Sequence, residues 1–160
     1  MSVEAISKEI GETVEYQVLD IPAVDLSARD VPYVDAVATD IIDLTDLGDG
    51  FTGELPKDAD IEIKSAAYRI SNGGSTCRGR FYLKKKAHQW LIDHDGYYLF
   101  IVHDFSRSLS MLAGKVVKAS DINPTWSDVD GRRSEGKVAK ISWGTVIEPE
   151  TVAGPGGDEA

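Results

Sequence analysis

The sequence predicts an α/β fold: a mixed central sheet with helices on its faces, built in the order αβββαβ. Three observations carry this expectation. Val3, Ile6, Ile10, Val14 and Val18 recur at three- and four-residue steps, the period of a helix with one buried stripe. Residues 59–70, ADIEIKSAAYRI, alternate apolar and polar side chains over their first half, as a half-buried strand does. Residues 97–105, YYLFIVHDF, are apolar at consecutive positions, the pattern of a central strand covered on both faces.

The elements follow in order. Ser2 suits the N-cap of the first helix and Glu4 its first turn. That helix should end near Asp20, because Pro22 disfavours helical backbone at Ile21. A linker is expected to Asp30, then a β-rich stretch over residues 31–44, VPYVDAVATDIIDL, with Pro32 at a strand start. Residues 45–59, TDLGDGFTGELPKDA, read as a polar loop punctuated by Gly and Pro. The second strand spans about 60–70, a turn follows at SNGGST, and RGRFYLKK supplies a third strand. KAHQWLIDH is expected to be a short helix with Ala87, Trp90, Leu91 and His94 along one side. Further strands are expected within residues 108–122 and 139–147. Residues 1–150 are expected to form a single domain, with 151–160 as a flexible acidic tail.

Composition narrows the functional classes. The chain has 160 residues, 42% of them hydrophobic, enough for a substantial core. No apolar run is long enough to span a bilayer, so no membrane partner is expected. The lone Cys77 excludes an intramolecular disulfide and fits a reducing cytoplasm. One thiol and three scattered histidines give no zinc constellation. The net charge of −10 argues on its face against nucleic acid. The charge is segregated, however. Residues 65–92 contain no acid and hold Arg69, Arg78, Arg80, Lys84, Lys85 and Lys86. An acidic background of this kind also suits a cytoplasm at high salt.

Glu62 and Lys64 stand one residue apart and share a strand face. A solvated ion pair is the ordinary explanation of such a spacing. Two neighbours favour chemistry: an upstream β-rich stretch carries Asp35, Asp40 and Asp43, and a basic window follows. Adjacent strands can bring two carboxylates together. Phosphodiester hydrolysis needs an activated water and neutralisation of developing charge, which Mg2+ supplies from a site of one or two carboxylates plus substrate phosphate. A lysine on the same face can orient the water. The basic window would then contact phosphates, with Phe81, Tyr82 and Trp90 expected in the core.

The order αβββαβ, with an acid on the first strand and IEIKSA on the second, resembles the PD-(D/E)XK, or restriction-endonuclease-like, nuclease superfamily, over about residues 1–104. Residues 78–104 are similar to the third strand, second helix and fourth strand of small archaeal members. The resemblance implies a metal-dependent nuclease acting on DNA, with Mg2+, or Mn2+ as substitute, held by Asp35 and Glu62. Lys64 would assist the attacking water, and Arg69, Arg78, Arg80 and Lys84, Lys85 and Lys86 would form the DNA-contacting group. The chain departs from the pattern in lacking a literal Pro-Asp: Pro32 lies three residues before Asp35. Asp35 is favoured as first ligand, with Asp43 or Asp40 in its place if the hairpin is tight. Glu12 or Glu15 would add a ligand, and Gln89 would lie near the site, as in some members. Many members are homodimers that cut two strands. A non-catalytic module on the same fold, binding nucleic acid or a protein partner, is the alternative.

Overall fold

Residues 97–104 form the strand around which the rest is arranged. The computed structural model describes residues 26–31, 34–104, 110–128 and 136–152. The helix expected over residues 2–20, with Glu12 and Glu15, lies outside them, as do Pro32 and residues 153–160.

The described chain runs β1 (Leu26–Val31), β2 (Val34–Ala38), β3 (Ile42–Asp43), a 3₁₀ turn (Leu44–Leu47), β4 (Phe51–Thr52), β5 (Glu54–Leu55) and β6 (Asp60–Ala67). It continues through β7 (Ile70–Asn72), β8 (Ser75–Cys77), β9 (Arg80–Lys84), helix α1 (Lys85–Asp93), β10 (Tyr97–Asp104) and β11 (Ser110–Lys118). β12 (Ser127–Asp128), β13 (Lys137–Ser142) and the single-turn helix α2 (Trp143–Val146) close it. Six strands make the central sheet in the order β1-β2-β6-β10-β11-β4. It is mixed: β10 runs parallel to β6 and antiparallel to β11, and β2 runs antiparallel to β6. A parallel neighbour requires a crossover, here made by the β7–β8 hairpin, β9 and α1. The architecture is the mixed α/β class that the sequence predicted.

The sheet buries both faces, so β10 is apolar on both, as its sequence predicted. On one face Ile61, Ile63, Leu99 and Ile101 pack with Ala36 and Ala38. On the other, Ala66, Tyr98, Phe100 and Val102 pack with Phe81, Leu83, Leu91 and Trp143. Leu91 and Ala87 of α1 are buried there, and His88 joins them. His94, expected on this side, is exposed at the helix end, its ring stacked on Trp90 at 3.8 Å.

Five further expectations change. The linker before Asp30 contains β1, hydrogen-bonded to β2; its sequence LSARDV lacks the apolar run that marks a strand. The β-rich stretch 31–44 breaks after Ala38, where Asp40 Oδ1 accepts from the Ile41 amide at 2.8 Å. The polar loop 45–59 is partly structural: Leu55, with Ile42 and Leu44, roofs the first face, and two side chains fully withdrawn from water, Leu44 and Leu55, contribute about 1.5–3 kcal/mol each. The third strand leaves the central sheet, since β9 belongs to a second sheet, β12-β13-β9. Gly79 makes that departure possible. Its amide donates to the Ala67 carbonyl at 3.0 Å, and a Cβ at this crossing would collide with the same carbonyl. β9 then lies across the face, with Phe81 against Phe100 at 4.5 Å between ring centroids. The final expected strand is half strand and half turn of helix: Trp143 is buried, and its indole N–H donates to the Tyr68 carbonyl at 3.0 Å. Among the described residues no helix is long and apolar enough to cross a membrane.

Candidate active site

The alternation of β6 sends Ile61 and Ile63 into the first core and leaves Glu62 and Lys64 on the opposite face. In β2, Val34, Ala36 and Ala38 are buried, while Asp35 and Val37 are half-buried on that opposite face. Ala36 pairs with Ile61 and Val37 with Asp60. Continuing this antiparallel register sets Asp35 opposite Glu62. The strands do not continue as a regular ladder there. Instead Asp35 Oδ2 accepts from the Ile63 amide at 2.7 Å, so a side chain replaces a backbone acceptor and is fixed in orientation.

Glu62 Oε1 meets Lys64 Nζ at 3.1 Å, with the two side chains 13% and 21% exposed. Glu62 Oε2 is buried and has no hydrogen-bond partner among the described residues. Burial pushes the Glu62 carboxyl above its ordinary range; Lys64 opposes this by charge and hydrogen bond, Asp35 adds to it, and Lys84 weakly opposes it. Burial also raises Asp35, against the Ile63 amide and the Lys64 charge. The two acids thus face each other across the strand pair with Lys64 acting on both.

The donor set fits a hard divalent cation. A buried carboxylate oxygen without a partner is costly, and a cation with its waters satisfies it. Among the described residues no three His, Cys, Asp or Glu side chains gather as a cage. Asp35 and Glu62 are therefore the protein oxygens the described fold brings together.

The alternative acids serve elsewhere. Asp40 caps the Ile41 amide, and Asp43 is the N-cap of the 3₁₀ turn, accepting from Thr45 N at 3.0 Å and Thr45 Oγ1 at 2.6 Å. Those two bonds hold the Asp43 carboxyl below its ordinary value. Gln89 is exposed and donates to Asp93 at 3.0 Å.

The basic window is divided. Arg80, Lys84, Lys85 and Lys86 are exposed on β9 and the start of α1. Lys84 alone of these acts electrostatically on Glu62. Arg78 is half-buried, its guanidinium 5.4 Å from the Trp143 ring, and Arg69 lies at the same distance from the Tyr68 ring. Tyr82, expected in the core, is half-buried on the outer face of β9.

One residue behind the acids escaped sequence reasoning. Tyr98 stands level with Glu62 in the parallel β6/β10 pair, and its hydroxyl lies 2.9 Å from His88 Nδ1. Burial raises the Tyr98 phenol, and the Glu62 charge adds to the effect. His88 is lowered by burial, against its bond to the Ile122 carbonyl. Nothing in the run YYLF marks this position, because it depends on which strands are neighbours.

A family model described as PD-(D/E)XK nuclease superfamily domain matches residues 1–148. No curated protein and no solved structure matches the chain.

Proposed function

The chain belongs to the PD-(D/E)XK nuclease superfamily, and from that premise we propose that it is a metal-dependent nuclease hydrolysing DNA phosphodiester bonds. Asp35 and Glu62 would hold Mg2+, or Mn2+ in its place, with Lys64 assisting the attacking water. The observation that carries the proposal is the meeting of Asp35 with the Glu62–Lys64 pair on one sheet face, beside a buried carboxylate oxygen that no donor among the described residues satisfies.

When bound, the cation supplies Lewis-acid polarisation of the phosphate and a water of lowered pKa. Asp35 is held for its part by the Ile63 amide, which occupies Oδ2 and leaves Oδ1 to turn toward the site. Lys64 has three donors and spends one on Glu62 Oε1. Its remaining donors face a phosphate oxygen or water and stabilise negative charge developing there. Its charge also keeps both carboxyls more acidic than burial alone would. The exposed Arg80, Lys84, Lys85 and Lys86 would take the phosphate backbone. Residues 1–150 would act as one unit, in the cytoplasm, as monomer or homodimer.

The experiment is hydrolysis of plasmid and branched DNA with Mg2+ or Mn2+ by wild type, Lys64→Ala and Glu62→Ala. Metal-dependent cleavage that both variants lose is expected. Cleavage fully retained by Lys64→Ala refutes the assignment. Calorimetric titration with Mn2+ should show a site that Glu62→Ala removes; a folded wild type without such a site points to the non-catalytic alternative.

A further inference from the structure

β9 alternates strictly. Phe81 and Leu83 are fully buried against the central sheet, which turns Arg80, Tyr82 and Lys84 to the outer face. Its partner β13 continues that face: Lys140 pairs with Tyr82, and Ser142 pairs with Arg80. Cross-strand partners share a face at ~5 Å spacing, so an aromatic ring sits among three exposed cations. Among the described residues none of Arg80, Lys84 or Lys140 lies in an ion pair, in a chain of net charge −10. Such cations call for an anionic partner from outside. Arg80 to Lys84 spans four residue-to-residue steps, roughly 13 Å, the length of about four stacked bases. At the other end of this face Lys84, paired with the buried Val138, acts electrostatically on Glu62.

The arrangement discriminates between forms of nucleic acid. A duplex keeps its base faces stacked internally and offers phosphates and edges. A single strand offers base faces, which stack on aromatic side chains of an open sheet while cations track the backbone. We propose that the outer face of β9 and β13 binds unpaired DNA, with a base on Tyr82 and phosphates on Arg80, Lys84 and Lys140, so that the substrate is single-stranded or locally unpaired. As a statement about substrate this rests on the nuclease reading; as a statement about binding it is tested without catalysis.

Fluorescence anisotropy in EDTA, with a labelled short oligothymidylate and a labelled hairpin duplex, compares wild type, Tyr82→Phe, Tyr82→Leu and Lys140→Ala. Wild type should prefer the single strand. Tyr82→Leu should weaken it about 10-fold or more with little change for the duplex, and Tyr82→Phe should match wild type. Lys140→Ala should weaken both and lower the salt slope by about 0.7–0.9. Thermal melts of each variant separate binding from folding. A Tyr82→Leu protein that melts lower but binds the single strand as wild type does overturns the proposal and leaves Tyr82 as a sheet-packing residue. Equal or tighter wild-type binding to the duplex, or binding to neither DNA, also overturns it. Parallel cleavage assays keep the readings apart. Metal-dependent cleavage without single-strand preference removes only the platform. Tyr82-dependent single-strand binding without cleavage in any metal removes only the nuclease.

Discussion

Removing Lys64 should destabilise the metal-free protein in a pH-dependent way. The pair separation of 3.1 Å gives a Coulomb energy of about 5 kcal/mol at an effective dielectric of about 20. Part of this is offset, because Lys64→Ala also relieves the desolvation of the ammonium. The net loss expected at pH 8 is about 2–4 kcal/mol, or roughly 5–12 °C in Tm for a chain of this size. The cost falls on Glu62, which is left buried and charged with no partner among the described residues on either oxygen. Its folded pKa is raised by burial and rises further without Lys64. A raised carboxyl contributes stability below its unfolded value near 4.5 and loses it as pH rises through the folded value. The deficit of Lys64→Ala should therefore shrink toward zero as pH falls to about 4.5 and grow above the raised value. Adding Glu62→Gln to Lys64→Ala should restore most of the stability while activity stays lost. The assay is thermal and urea unfolding in EDTA between pH 4.5 and 8. A Lys64→Ala deficit independent of pH, or one the double variant does not relieve, refutes the pairing argument.

Asp35→Asn retains an acceptor for the Ile63 amide, so it should fold while losing Mn2+ binding and cleavage, whereas Asp43→Ala should lower Tm slightly and keep both; the reverse pattern would move the ligand to Asp43. Burial raises both Asp35 and Glu62, and both must be ionised to hold a cation, so the acid limb of kcat/KM against pH should lie above the ordinary carboxylate range of about 4; full activity below that range contradicts it. Gly79→Ala should cost about 2 kcal/mol or more, read by urea unfolding, because its Cβ meets three backbone atoms of Ala67, including the amide nitrogen at 2.8 Å. If the acidic surface is an adaptation to high salt, circular dichroism should show loss of structure on dilution into low salt, and an unchanged spectrum removes that idea.

The local elements were legible because their signals are local. The doubly apolar run predicted β10 as a central strand, and the three- to four-residue spacing predicted α1 within a residue of its bounds. The alternation in β6 placed Glu62 and Lys64 together before any contact was known. The buried face of α1 was read less well: His88, not His94, turns inward, because the hydroxyl of Tyr98 on the neighbouring strand offers it a partner. β1 escaped because its pairing with β2 gives the sequence LSARDV no apolar period of its own.

By itself the sequence determined that Glu62 and Lys64 share one face of β6 and that β10 is a central strand, since side-chain alternation is a property of the chain alone. Which aspartate lies beside that pair was decided by tertiary structure. In sequence Asp35 is favoured by its flanking strand residues, with Asp43 and Asp40 open as alternatives. The antiparallel register of β2 on β6 brings Asp35 to the Ile63 amide, while Asp40 and Asp43 are taken up by the turns that follow. Tertiary structure also lifted β9 out of the central sheet at Gly79 and turned Tyr82 outward among cations. Register and strand neighbours join residues tens of positions apart. They follow from which apolar faces bury best together, and no local window of sequence contains that comparison.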